Sequence, residues 1–127
     1  MTSYVLDSSA ILARLFGELG GDVVEAGIAE SFLSAANFAE IITKLIDRGV
    51  SADDARDAAF QLRCEIVPVD EERAAAAGVL HALTRRKGVS LGDRFCLALA
   101  EELGLPALTA DRRWRDLDIG VEVTLIR

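Results

Sequence analysis

The 127-residue chain is poor in several residue types: two cysteines, two prolines, one histidine, one methionine and 6% aromatics. Cys64 and Cys96 stand far apart, each in an apolar stretch, so they form neither a disulfide framework nor a zinc pattern. They read as buried free thiols in a reducing compartment. His81, the one histidine, sits on a predicted helix before a basic turn and reads as surface rather than as a general base. There is no internal repeat, no low-complexity segment and no Ser/Gly/Pro linker, so one domain over residues 1–127 is expected. The first apolar stretch is broken by Asp7 and Arg14 and follows no basic region, which excludes a signal peptide and a spanning helix. A cytoplasmic protein with no membrane partner is expected. Positive charge is also short: 14 Lys and Arg stand against 21 Asp and Glu, a net charge of −7. That balance argues against gripping nucleic acid by bulk electrostatics.

Apolar residues, by contrast, make up 51% of the chain. A domain of this length buries roughly two-thirds of its unfolded surface. It needs no metal staple, so any metal would be functional. Short β-branched runs alternate with helical periodicity, the pattern of an α/β fold with a mostly parallel sheet. Strands are expected near residues 3–6, 29–33, 65–69, 106–109 and 121–126, the last at a sheet edge. Helices are expected near 9–16 and 22–26, from the Ser34 cap to Gly49, from a Ser51/Asp54 capping box to about 62, and from Asp70 to about 84. Two more follow, from Ser90 to Gly104 and from Asp111 to about 116.

Four carboxylates fall where an open α/β sheet gathers its ligands, at strand ends and the helix starts facing them. Asp7 follows the first strand, with Ser8 and Ser9 directly after it. Asp111 follows the fourth strand, and Asp93 lies in the first turn of its helix. Glu40 is mid-helix but shares a stripe with Asn37 and Lys44. Each has a plainer reading: Asp93 as the acid of a capping box with Ser90, Asp111 and Asp7 as helix caps, Glu40 as the partner of Lys44. Carboxylates that converge raise one another's pKa unless a cation intervenes, and hard oxygen ligands suit Mg²⁺ or Mn²⁺. Such an ion can activate water and offset charge on a phosphoryl oxygen, the chemistry of phosphodiester hydrolysis.

Four segments, Tyr4 to Ala13, Ser34 to Ile41, Ser90 to Ala100 and Leu108 to Trp114, together resemble the PIN-domain nucleases. More narrowly they resemble the VapC-type toxins of type II toxin-antitoxin pairs, over essentially the whole chain. The resemblance implies a three-layer fold, a parallel sheet of about five strands with helices on both faces. It maps Asp7, Glu40, Asp93 and Asp111 onto an acidic quartet around Mg²⁺ or Mn²⁺, catalytic as well as metal-binding. Ser9 matches the hydroxyl residue that assists the first Asp and Asn37 an assisting polar residue one helical turn before the Glu, while Asp116 falls at a variable further acid and reads rather as solvated helix surface. The implied activity is metal-dependent endoribonuclease cleavage of tRNA or rRNA, with Glu40 a ligand or a water-orienting base. The implied partners are an RNA substrate, a cognate VapB-type antitoxin and a second copy of the chain in a homodimer, with the early apolar helices as interface material.

RNA contact then has to come from local charge. Arg85, Arg86 and Lys87 precede Asp93, and Arg112, Arg113 and Arg115 follow Asp111. Trp114 can stack a base, though its apolar setting suits a core residue. Three other readings stand beside this one: a stand-alone PIN nuclease, a catalytically inactive PIN-like binding module, and a receiver-like phospho-acceptor domain. The last needs a lysine after its final parallel strand, and residues 121–127 contain none.

Overall fold

A computed structural model describes residues 2–127. Five short strands form one parallel sheet: β1 (Val5–Leu6), β2 (Phe32–Ser34), β3 (Glu65–Val67), β4 (Ala107–Thr109) and β5 (Val123–Leu125), in the order β3-β2-β1-β4-β5. The expected α/β class with a parallel sheet and helices on both faces is what forms, and β5 is the edge strand anticipated. Around the sheet run α1 (Ser8–Leu15), α2 (Gly21–Gly27), α3 (Ala35–Asp47), α4 (Ala52–Phe60), α5 (Glu71–Val79), α6 (His81–Thr84) and α7 (Leu91–Leu103).

Alternation along β1 sends its two side chains to opposite layers. Leu6 joins Leu33 and Leu108 under Ile11, Ile28, Ile41 and Leu45 of the α1 to α4 side. Val5 joins Val67 and Ala107 under Leu97, Leu99 and Trp114 on the α7 side. Both thiols are buried and free, and Trp114 is core.

Several elements depart from the sequence expectation. Ile28–Glu30 forms a 3-10 turn instead of opening a strand, and Arg112–Asp116 is likewise 3-10. The helix expected from Asp70 to about 84 is interrupted after Val79. The break lies beside Gly78, where the Arg94 Nη1 donates to the carbonyls of Ala77 and Gly78 at 3.2 and 3.3 Å. At Ser51 only one arm of the capping box forms, Asp54 N–H to Ser51 Oγ at 3.1 Å. Leu91 opens α7 with its apolar side chain 54% exposed.

Strand order places the site. From β1 the chain moves outward to β2 and β3, then returns to β4 on the other side of β1, so the winding reverses between β1 and β4. In open sheets the crevice beyond the carboxyl ends at such a reversal is where ligands sit. Here that crevice receives Asp7 from β1 and Asp111 from beyond β4.

Candidate acidic site

Asp7 is 3% exposed, enclosed at the central strand's end. Its Oδ2 accepts from Ser9 Oγ at 2.6 Å and from Thr109 Oγ1 at 2.8 Å. Ser9 Oγ in turn accepts from the Ala110 N–H at 2.9 Å, and Thr109 Oγ1 from the Asp111 N–H at 3.0 Å. The two hydroxyls stitch β1 to the end of β4 and leave Asp7 Oδ1 with no hydrogen bond among the described residues. Burial is the main reason the Asp7 carboxyl titrates at about 6. The Ser9 and Thr109 hydroxyls pull it down, and the charges of Asp93 and Glu40 add a smaller upward push. Desolvation therefore outweighs the mutual repulsion expected from convergence.

Glu40 reaches the same crevice from α3. Its Oε1 accepts from Ser8 Oγ, and from Asn37 Nδ2 at 3.4 Å. Asn37, fully buried, also donates to the Gly92 carbonyl at 2.9 Å, which joins α3 to the start of α7. Its Oδ1 has no partner. Lys44 stands 3.9 Å from Glu40 Oε2, so the ion pair is loose, while the contacts from Ser8 and Asn37 orient the carboxylate inward. Gly92 leaves the necessary room: a Cβ there would lie 2.5 Å from Glu40 Oε2.

Asp93 completes a reciprocal cap. Ser90 N–H donates to Asp93 Oδ2 at 2.9 Å and Asp93 N–H to Ser90 Oγ at 3.2 Å. The capping reading thus holds for one oxygen, and Oδ1 has no hydrogen bond among the described residues. Burial, and then the nearby charges of Glu40 and Asp111, push the Asp93 carboxyl up against the contacts from Ser90. Asp111 behaves differently. Its Oδ1 accepts from both the N–H and the Nε of Arg113 at 3.0 Å, and its Oδ2 from Nη2 at 2.7 Å. Arg113 holds this carboxyl below its usual range.

The crevice therefore brings Asp7, Glu40 and Asp93 into electrostatic contact, with Asp111 at the rim beside Asp93. Among the described residues no three acidic, His or Cys side chains close directly on one metal position. The donor set nevertheless fits a hard divalent cation that keeps part of its water shell. Its oxygens are carboxylate and amide, Asp7 and Asp93 each offer an uncommitted oxygen, and the orphaned Asn37 Oδ1 adds an unmatched acceptor nearby.

The basic candidates divide. Arg85, Arg86 and Lys87 are exposed on the turn before α7, and Arg113 reaches the end of that turn at Gly88, its Nη1 lying 2.8 Å from where a Gly88 Cβ would sit. Arg112 turns away and donates from Nε to the Arg127 carbonyl at 3.3 Å. Arg115 and Asp116 are exposed on the 3-10 segment, and His81 is exposed as expected. Thr109 and Gly92 were not singled out from the sequence, whereas Ser8, noted there only as a polar neighbour of Asp7, donates to Glu40. The one local hint was a hydroxyl residue ending the otherwise apolar strand Ala107–Thr109, two positions before Asp111.

The family model for the PIN domain matches residues 4–120. No curated protein sequence matches the chain. Among solved structures, a toxin-antitoxin complex from Klebsiella pneumoniae contains a chain 15% identical, with a TM-score of 0.72 and coverage of 100% of this chain and 98% of that one. A DNA-bound VapBC from Salmonella typhimurium gives 19% identity, a TM-score of 0.73 and full coverage of both chains, 100% each. VapBC-5 from Mycobacterium tuberculosis gives 22% identity and a TM-score of 0.63, covering 100% of this chain and 99% of that one.

Proposed function

The chain belongs to the PIN domain family, a family of nucleases, and from that premise we propose that it is a metal-dependent endoribonuclease and the toxin of a toxin-antitoxin pair. The observation that carries the reading is the buried Asp7 carboxylate at the sheet's reversal point, with one free oxygen and with Glu40 and Asp93 beside it. Asp7, Glu40, Asp93 and Asp111 would hold Mg²⁺ or Mn²⁺. When bound, such an ion lowers the pKa of a coordinated water and offsets charge on a phosphoryl oxygen.

The chain's own groups supply the arrangement. Ser9 and Thr109 fix the rotation of the Asp7 carboxylate, so that its free oxygen faces the crevice without reorganisation cost. Ser8 and Asn37 do the same for Glu40, whose carboxylate is placed to bind the ion or to orient water. Protein nucleophiles are poor candidates: Ser8 and Thr109 are fully buried and donate to carboxylates, and burial pushes the Cys96 thiol well above its normal range. Solvent water is left as the attacking group. Arg85, Arg86 and Lys87 supply local positive charge for an RNA backbone despite the net charge of −7.

An antitoxin partner is supported by the toxin-antitoxin complexes among the structural neighbours, and an acidic crevice suits a basic segment of such a partner. The homodimer remains part of the same proposal, with Phe16 and Leu19 of the turn between α1 and α2, and Val23 of α2, exposed for it. The test is cleavage of structured RNA with Mg²⁺ or Mn²⁺, its arrest by EDTA, and its loss in Asp7→Asn that still folds. Cleavage that survives EDTA and Asp7→Asn would remove the metal-site reading. No cleavage under any metal would leave a protein-binding module.

A further inference from the structure

We propose that Arg113 is a built-in counter-ion standing in for the cation at Asp111, so that loading a divalent ion onto Asp111 requires Arg113 to let go. The inference rests on the metal-site reading above.

Every hydrogen-bonding position that Asp111 uses is filled from one residue. The Arg113 N–H and Nε share Oδ1, and Nη2 takes Oδ2, a bidentate fork over the carboxylate. Asp7 and Asp93, by contrast, each keep an oxygen without a hydrogen bond. The guanidinium also lies within the field of Asp93, whose charge adds to its stabilisation. A cation that recruits Asp111 to the other three carboxylates competes for oxygens already occupied by a positive group.

The placement is not forced by packing. The Arg113 side chain is 65% exposed while that of Asp111 is 20% exposed, so the arginine lies over the acid from the solvent side. Its neighbour on that side is the basic turn, at Gly88. Arg112 and Arg115 occupy the same 3-10 segment without pairing with Asp111. Release of the guanidinium from both carboxylate oxygens therefore needs side-chain rotation alone, while the Arg113 N–H keeps its bond to Oδ1. It would leave a free guanidinium beside Gly88, at the end of the basic turn that carries Arg85, Arg86 and Lys87, where an RNA phosphate can take the place of the carboxylate.

Mn²⁺ titration by calorimetry, without RNA or any partner, tests this. The exposed pair is a modest competitor, so Arg113→Ala is expected to tighten Mn²⁺ binding by about three- to tenfold. Arg113→Lys, which keeps the charge but not the fork, should fall between it and the wild type. Arg112→Ala removes the same charge from the same segment and should change the affinity by less than about twofold. In an Asp111→Asn background the effect of Arg113→Ala should vanish. Adding Mg²⁺ to the wild type should also shift the Arg113 Nε resonance. An unchanged affinity in Arg113→Ala, or an equal gain in Arg112→Ala, overturns the counter-ion role while leaving the metal site standing. If Asp7→Asn binds Mn²⁺ as well as the wild type, the metal site itself is wrong and this inference falls with it.

Discussion

At the residue scale, Asp7 combines deep burial with a carboxylate that the proposed metal site needs ionised. The unfolded carboxyl titrates near its ordinary 3.8, the folded one at about 6. Between those values the folded protein keeps a proton that the unfolded chain has released, so stability falls as pH rises through the window. The loss is about 3 kcal/mol, complete above the folded value. Asp93, also raised, adds in the same direction. Asp111, lowered by Arg113, contributes stability that disappears only below the ordinary carboxylate range. Metal-free wild type should thus lose Tm between pH 4 and pH 7, and Asp7→Asn should lose much less and be the more stable protein at pH 7. Thermal melts across that range in EDTA check it; parallel curves for the two proteins would contradict the burial argument. Saturating Mg²⁺ should restore the wild type, since a cation favours the ionised carboxylate.

At the element scale, the start of α7 performs two tasks with one side chain. Asp93 Oδ2 closes the reciprocal cap with Ser90, and its other oxygen is left for the crevice. These tasks separate by substitution. Asp93→Asn keeps an acceptor for the Ser90 N–H and should hold the Tm within a few degrees while losing cleavage. Asp93→Ala should lose cleavage and also about 1 kcal/mol of stability through the cap. Equal stability in the two variants would show that the cap contributes nothing. The adjoining Gly92 shows how tightly α3 and α7 approach, since its missing Cβ is where the Glu40 carboxylate lies. Gly104, at the other end of α7, adopts a left-handed φ of 64° that glycine tolerates without strain, which made this helix stop readable in advance.

At the scale of the whole molecule, an acidic chain must meet a polyanion through a small basic region. If the turn before α7 is that region, Arg85→Ala with Arg86→Ala should weaken RNA binding and flatten the dependence of log affinity on log salt by about two contacts' worth. Binding to uncleaved RNA, measured in EDTA at several salt concentrations, decides the matter; an unchanged slope would place the RNA elsewhere. Layering, strand direction and most helix ends were legible in the sequence because they depend on local periods and caps: short β-branched runs alternating with helical periodicity, the Ser34 and Ser90 caps, the glycine after α7. The positions of Asp7, Asp93 and Asp111 were legible too, because strand ends and first helical turns are identified by neighbours within four residues; Glu40, mid-helix, stood out only by its stripe with Asn37 and by the family resemblance. Contacts between residues distant in the chain were not. The bond from Thr109 to Asp7, the Asn37 link to the Gly92 carbonyl and the proximity of Arg113 to the basic turn depend on the sheet reversing between β1 and β4. So, in effect, does the division of the four acids, since burial, which no local pattern reports, raises Asp7 and Asp93, while an exposed arginine two residues along holds Asp111 down. Sequence alone marked Asp7, Asp93 and Asp111 as carboxylates at strand ends and helix starts, by local geometry; tertiary structure decided the burial of Asp7 and Asp93 and the contacts that orient Asp7 and Glu40, because desolvation and long-range hydrogen bonds exist only once the layers close.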